Sequence, residues 1–330
     1  MFRLQLRRAL LALCSLALFF CVPVGADDTA VSVAAGGIQL RKEARISMQK
    51  ERLFISTDKV AVDFDFLNET DRDITIEVAF PVPQYTFGWD ARLSDFADFK
   101  LWVNGKQSWY DSDVHATLRG NDYSDLLRRM GIDAATFGMY DWKKDPPDGS
   151  PQISKLSPSA RAHLIQLGLL DNAAHAFPQW AVKKMYYWRQ TLPARKVVHI
   201  RHEYHPVIGY EPVQLRDFTT TFPRACIDAN LQKALSSDVD AYLKNTPKGG
   251  GEDYFNTSWV DYILTTANTW KTPIKDFQLI IEKPESKNGE HEYTSFCWDG
   301  PVQRLDQRHF LLHKTNFVPK QELTVYFFSK

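Results

Sequence analysis

The sequence predicts a mainly β protein, antiparallel and sandwich-like, in one or two domains with a helical insertion. Three observations carry this expectation. Apolar and polar residues alternate along several segments, the pattern of strands with one buried face. An Asn-Gly pair sits between two such segments, and these residues tolerate the positive φ angles of a two-residue hairpin turn. Helical periodicity with capping residues is confined to the middle of the chain and to one later segment, so alternation brackets it on both sides.

Residues 1–26 stand apart from the fold. Arg3, Arg7 and Arg8, with no acid among them, precede the apolar stretch from Ala9 to Val22, and Val24-Gly25-Ala26 follows. A basic start, a short apolar middle and a small-residue end form a secretory signal, with cleavage expected after Ala26. The apolar stretch is shorter than the roughly 20 residues of a spanning helix, and later apolar segments are interrupted by charge, so no transmembrane segment is expected after cleavage. Cys14 and Cys21 follow Leu13 and Phe20, where a lipoprotein peptidase requires a small residue, which argues against a lipid anchor. The expected location is periplasmic or secreted.

Residues 27–37 are small and read as a linker. A β region is expected over 38–110. Val60, Val62, Phe64 and Phe66 point one way and Ala61, Asp63 and Asp65 the other. After the polar turn at 68–72, Ile74, Ile76, Val78 and Phe80 resume the alternation, which suggests a hairpin with one wet face ended by Pro81 and Pro83. A second hairpin pairs Phe99 to Val103 with Lys106 and Gln107 across Asn104-Gly105.

Over 111–178 the period changes to that of a helical insertion. Asn121 is a candidate cap for a helix carrying Leu126, Leu127 and Met130 and ending at Gly131, while Ser157-Pro158 begins a second helix. Lys143 to Ser150 is a loop by composition. A second β region is expected over 179–330, with strands at Trp180 to Arg189, Lys196 to His205, Tyr262 to Thr266, Phe277 to Glu282, Tyr293 to Trp298, His309 to His313 and Leu323 to Phe328. Within it, Asp228 caps a helix near 229–244, and Lys248 to Gly251 is a flexible break.

The 330 residues hold 40 basic and 40 acidic side chains, with 44% hydrophobic and 13% aromatic content. That composition belongs to a packed globular protein. Its balanced charge supplies no basic field for nucleic acid, which is therefore excluded as a partner. Cys226 and Cys297 are the two cysteines beyond the signal, and an even pair in an exported chain reads as a disulfide. There is no C-x-x-C spacing to suggest a zinc site.

The residues also carry a resemblance. Gly36-Gly37-Ile38, the run from Leu53-Phe54-Ile55-Ser56 to Phe80-Pro81-Val82-Pro83, Tyr187-Trp188-Arg189-Gln190-Thr191 with Tyr204-His205-Pro206, Tyr262 to Thr266 leading into Trp270, Pro273 and Phe277, and Asn316-Phe317-Val318-Pro319 resemble an exported bacterial family, domain of unknown function 4424. The resemblance covers nearly all of the mature chain. It implies a bacterial envelope protein and no particular activity. More weakly, the pattern from Val60 to Lys106 is similar to the β domains that begin inter-alpha-trypsin inhibitor heavy chains, which implies a sandwich and nothing chemical.

His199 and His205 share a strand face about 20 Å apart while His202 faces the other way, so the three cannot converge on one metal ion. Ser56-Thr57-Asp58-Lys59 has the spacing of a serine nucleophile and its lysine base, yet falls in a turn without companion motifs. Asp63 and Asp65, with Asp73 and Glu77 opposite, would suit glycoside hydrolysis, but a polar face is the ordinary outcome of alternation. Asn68-Glu69-Thr70 and Asn256-Thr257-Ser258 fit the glycosylation pattern, with no modification expected in a bacterial envelope. No phosphate loop, dinucleotide fingerprint or other cofactor motif is present, and neither catalytic nor metal-binding residues are assigned.

Aromatics outside the expected strands are harder to dismiss. Tyr85, Phe87 and Trp89 follow the Pro-rich strand end, Trp109 and Tyr110 open the insertion, and Tyr140 and Trp142 lie within it. Exposed aromatics mark binding surfaces, so Trp89, Trp109 and Trp142 are candidates for a ligand or partner surface. The functional expectation is a non-enzymatic binding or scaffolding module of the bacterial envelope, with an envelope protein or glycan as partner. The alternative is a carbohydrate-active or other envelope hydrolase.

Overall fold

The computed structural model describes residues 29–34, 37–87, 96, 98–139, 150–171, 176–245, 254–286 and 291–329. The expected signal at 1–26, most of the loop from 143 and the glycine-rich break at 248–251 lie outside these residues. The fold is mainly β with few helices, and among the described residues its strands pair antiparallel except for one central pair, in which residues 276–281 run parallel to residues 50–55.

Strand β1 (Thr29–Ala34) pairs with β2 (Gly37–Arg41) and also with residues 77–79. Residues 29–34 of the stretch expected as a linker therefore form a strand. Its Val31 and Val33 alternate with small residues, and the edge of a neighbouring strand supplies the backbone partners that a weak β former needs.

β3 (Ile46–Ile55) turns at Ser56 into β4 (Val60–Asn68). The Ser56 Oγ accepts from the amides of Asp58 and Lys59 at 3.3 and 3.0 Å, so the Ser-x-x-Lys pattern is turn chemistry. β5 (Ile74–Thr86) runs through Pro81 and Pro83 rather than ending there. Its partner is the strand Ala181–Leu192, and across that ladder two residues, Pro83 and Gln84, face Lys183 alone. This bulge absorbs the proline that cannot donate to the ladder.

Next come β6 (Lys100–Val103) and β7 (Lys106–Ser108), paired across Asn104 at φ 48° and Gly105 at φ 76°, the two positive angles expected of Asn-Gly. The segment expected to be helical opens instead with β8 (Asp111–Leu118) and the short β9 (Asn121–Asp122). Asn121 is thus a strand residue and caps nothing. Helices α1 (Ser124–Arg129), α2 (Pro151–Ser154) and α3 (Pro158–Gln166) follow. Gly131, at φ 71°, closes α1, and the Ser157 Oγ caps α3 by accepting from the Ala160 amide at 3.2 Å.

The later elements are β10 (Ala181–Leu192), β11 (Val197–Tyr204), β12 (Ile208–Gln214), α4 (Phe218–Thr221) and α5 (Ala229–Asn245). Asp228 Oδ1 accepts from the Leu231 amide at 2.7 Å at the head of α5, as the cap residue predicts. β13 (Tyr254–Tyr262) ends where a strand was expected to begin, and a 3₁₀ turn occupies Thr265–Thr269. The chain closes with β14 (Ile274–Glu282), β15 (Glu292–Ser295), β16 (Val302–Arg304), β17 (His309–Phe317) and β18 (Leu323–Ser329).

These strands form an eight-stranded sheet in the order β16-β17-β14-β3-β4-β11-β6-β7, a six-stranded sheet β2-β1-β5-β10-β8-β9 and a four-stranded sheet β12-β13-β18-β15. Strands from after Trp180 complete the sheets begun before it. The expected hairpin of β4 with β5 does not form, because β4 pairs with β3 and β11 while β5 pairs with β1 and β10. β10 and β11 divide between the same two sheets. The apolar sides of Phe64 and Phe66 on β4 and of Val78 and Phe80 on β5 join one buried cluster between the sheets, an arrangement closed to two strands sharing a single ladder and one wet face.

Both crossovers are clamped by Asn68, which is 0% exposed. Its Nδ2 donates to the carbonyls of Arg72 and Leu192 at 2.9 and 2.8 Å, and its Oδ1 accepts from the Thr70 amide and hydroxyl. Asp73 Oδ1 accepts from the Ala194 amide at 2.9 Å across the same gap. Asn68→Ala leaves the buried Leu192 carbonyl without this donor. We expect a loss of about 3 kcal/mol in urea unfolding; a loss below about 1 kcal/mol would mean the clamp is dispensable.

The four-stranded sheet is covered on both faces. Val325 and Phe327 of β18 join the sandwich core, while Tyr326 and Phe328 join Phe218, Phe222, Leu235 and Phe255 beneath α4 and α5. That two-sided burial explains why β18 reads as a continuous apolar run rather than an alternation.

Candidate functional site

The histidines expected not to converge lie as their spacing requires. His199 faces outward, with Nδ1 2.9 Å from Asp65 and Nε2 3.1 Å from Asp63. His202 is buried on the opposite face, its ring centroid 4.6 Å from that of Phe80 and 5.6 Å from that of Trp188. His205 follows the end of β11. Among the described residues no group of three His, Cys, Asp or Glu side chains is placed to hold a metal ion.

Asp63 and Asp65 do share the outer face of β4, where both are engaged. Asp63 pairs with His199 and Arg201, and Asp65 pairs with His199 and, at 3.5 Å, with Lys50. Asp73 and Glu77 are not opposite them, since β5 belongs to the other sheet. The four carboxylates therefore form no common face.

A second histidine with two acids lies at the edge of the six-stranded sheet. His115 is 2.5 Å from Asp122 and 3.0 Å from Asp113. Burial lowers its proton affinity, but the hydrogen bonds and charges of the two carboxylates outweigh that and hold it above the ordinary histidine value. The nearby Ser124 hydroxyl donates to Asp122 at 2.5 Å, so the imidazole is not placed to activate it.

Of the aromatics singled out, Tyr85 and Phe87 are core residues, and the Tyr85 hydroxyl donates to the Ala135 carbonyl at 2.8 Å. Trp109 is 93% exposed on the link between β7 and β8. It borders a depression of about 580 Å³ with Phe99, Gln107, Ser108 and Tyr110. Trp89, Tyr140 and Trp142 lie outside the described residues.

A second concavity, of about 350 Å³, lies beside the Cys226–Cys297 disulfide. The bridge expected from the cysteine pair is present, with Cα atoms 5.1 Å apart. Cys226 takes a left-handed conformation at φ 49° after the turn that precedes α5, and Cys297 follows β15. The other walls come from Leu264 beyond β13, Trp298 and Asp299 beyond Cys297, Lys314 and Phe317 at the end of β17, and residues 318 and 320–323 leading into β18.

Local chemistry holds this frame. The Glu322 carboxylate accepts from the amides of Leu264 and Thr265 at 2.8 and 3.2 Å and from the Thr265 hydroxyl at 2.5 Å. The Asn268 side chain donates to the Pro319 carbonyl at 2.9 Å. Thus the 318–322 link is bound to the 3₁₀ turn. On the other side Trp298, Phe277 and Phe317 pack mutually, with centroids 4.8 to 5.9 Å apart. The Lys314 ammonium stands 4.6 Å from the Trp298 ring centre and 5.3 Å from that of Phe317, and 3.8 Å from Asp299.

The result is a largely apolar cleft with a few polar groups at its rim, the ordinary form of a small-molecule site. Sequence reasoning located the disulfide but not the cleft. Its walls lie in four separated stretches, and the pattern that touched them, Asn316 to Pro319 and the segment around Leu264, carried no chemical meaning by itself.

A family model described as a domain of unknown function, DUF4424, matches residues 26–326. No curated protein matches the chain. Among solved structures, similarity is found to a Legionella pneumophila protein provisionally assigned as nutrient binding. The identity is 15%, covering 92% of this chain and 70% of that one, with a TM-score of 0.38.

Proposed function

The chain belongs to the DUF4424 family, whose description assigns no activity, and we propose that it is a non-enzymatic binding module of the bacterial cell envelope, periplasmic or secreted. The observation that carries the binding reading is the cleft of about 350 Å³, preformed by a disulfide, a capped turn and an aromatic stack. A site assembled before its ligand arrives avoids the cost of ordering its walls on binding. Export is supported by the basic and apolar start of the chain and by a disulfide of the kind that persists in oxidising compartments. The hydrolase alternative loses support from the acidic face, because Asp63 and Asp65 are occupied by His199, Arg201 and Lys50.

Val318 forms part of the cleft wall and is 47% exposed, so Val318→Asp places a charge in the site without disturbing the core. Protein purified from the periplasm and extracted for small-molecule mass spectrometry is expected to yield a bound compound from the wild type. The Val318→Asp protein should retain at least tenfold less, and Trp109→Ala should retain the wild-type amount. Equal recovery from the wild type and Val318→Asp would remove the cleft as the binding site.

A further inference from the structure

Resting on the reading of the cleft as a binding site, we propose that its ligand is a small amphipathic anion, with one anionic head beside Lys314 and an aromatic or branched aliphatic body against the disulfide, Leu264, Val318 and Leu323. Glu322, the acid deepest in the frame, has its carboxylate oxygens engaged by two backbone amides and a hydroxyl. Its charge is therefore met by fixed donors, and it offers little to an incoming cation. Asp299 stands fully in solvent, where screening weakens it.

The cations are placed differently. Lys314 is only 25% exposed, with its stem over the Trp298 and Phe317 rings. Among the described residues its ammonium makes no hydrogen bond, and its nearest counter-charge is Asp299 at 3.8 Å. An ammonium has three donors, and here the ring faces satisfy it from one side while the other remains open to an acceptor. Lys320, also at the cleft, is exposed and adds a second positive charge to the rim. At a partly desolvated cation an anion is attracted more strongly than at an open surface.

Selection for the body follows from the remaining lining. Leu264, Val318, Leu323 and the disulfide present no charge and little hydrogen-bonding capacity. A compact sugar or an inorganic ion would leave that surface wet, whereas an apolar body removes it from water. The two halves of the cleft thus match the two halves of an amphipathic anion.

Two fluorescent probes separate the claims: 8-anilinonaphthalene-1-sulfonate, which is anionic, and N-phenyl-1-naphthylamine, which has the same aromatic body without the charge. The full-length mature protein is titrated with each, alongside Lys314→Met and Val318→Asp, with thermal unfolding used to confirm that each variant is folded. The wild type is expected to bind the sulfonate at least tenfold more tightly than the neutral probe. Lys314→Met should weaken the sulfonate about tenfold and leave the neutral probe unchanged, and Val318→Asp should remove both. Equal affinity for the two probes, or an unchanged preference in folded Lys314→Met, would overturn the assignment of an anionic ligand while leaving the cleft as a binding site. Retention of both probes by folded Val318→Asp would overturn that underlying reading as well.

Discussion

Replacing both bridging cysteines, Cys226→Ser with Cys297→Ser, is expected to lower the free energy of unfolding by about 4 kcal/mol, the value that chain entropy assigns to a closed loop of this size. The two residues are 71 positions apart, so the open chain gains many conformations when the link is removed. Most of the loss therefore arises in the unfolded state. A native-state loss adds to it. Cys226 closes the turn before α5 and Cys297 continues β15, and apart from the bridge these segments are joined by a Ser295 hydroxyl donating to the Ala225 carbonyl at 2.5 Å. Urea unfolding of the oxidised protein against the double serine variant measures the difference. A change below about 1 kcal/mol would show that the bridge constrains neither state appreciably, and would remove the disulfide from the account of why the cleft is preformed.

Trp180→Ala is expected to cost about 3 to 5 kcal/mol, the range for deleting a large buried aromatic side chain. Trp180 is fully buried at the start of β10. Its ring stacks on Phe137 at 5.6 Å and meets Phe87 edge-on at 6.0 Å, and its Nε1 donates to the Ala134 carbonyl at 3.0 Å. It therefore attaches the segment following α1 to the six-stranded sheet. The surroundings have little room to collapse: at Gly138 an added Cβ would lie 2.5 Å from the Phe87 ring. Trp180→Phe keeps an aromatic body but loses the donor, so its cost should fall well below that of the alanine variant. Urea unfolding of the pair, with protease sensitivity of residues 124–171 as a local readout, tests both parts. An alanine variant within about 1 kcal/mol of the wild type would contradict the assigned attachment.

Much of the local structure was legible in the sequence because it depends on neighbours along the chain. The alternation of Val60, Val62, Phe64 and Phe66 against Asp63 and Asp65 is the period of a strand whichever strand lies beside it. Asn104-Gly105, Ser157-Pro158 and Asp228 act within four residues, and the structure shows the turn and caps they imply. Two cysteines admitted one pairing. Periodicity carries no information about partners, however, and there the reading of hairpins failed. Whether β4 and β5 pair or cross between sheets depends on which apolar face each finds opposite it, and on Asn68 being buried where it can bind both crossovers at once.

The same distinction applies to the site. Trp109 was marked by its aromatic character and is exposed, and the disulfide was marked by cysteine arithmetic. Lys314 and Glu322 had no such mark, since an isolated lysine or glutamate in a strand sequence is ordinarily a solvated side chain. Lys314 acquires its open ammonium only when Trp298, from another strand connection, slides beneath it; Glu322 loses its freedom only when the turn after β13 presents two amides. Short-range periodicity and capping, which act between chain neighbours, set the secondary structure, and two cysteines set the covalent bridge. Strand partners and the chemistry of the cleft emerge on folding, because burial and electrostatic environment belong to groups brought together from distant parts of the chain.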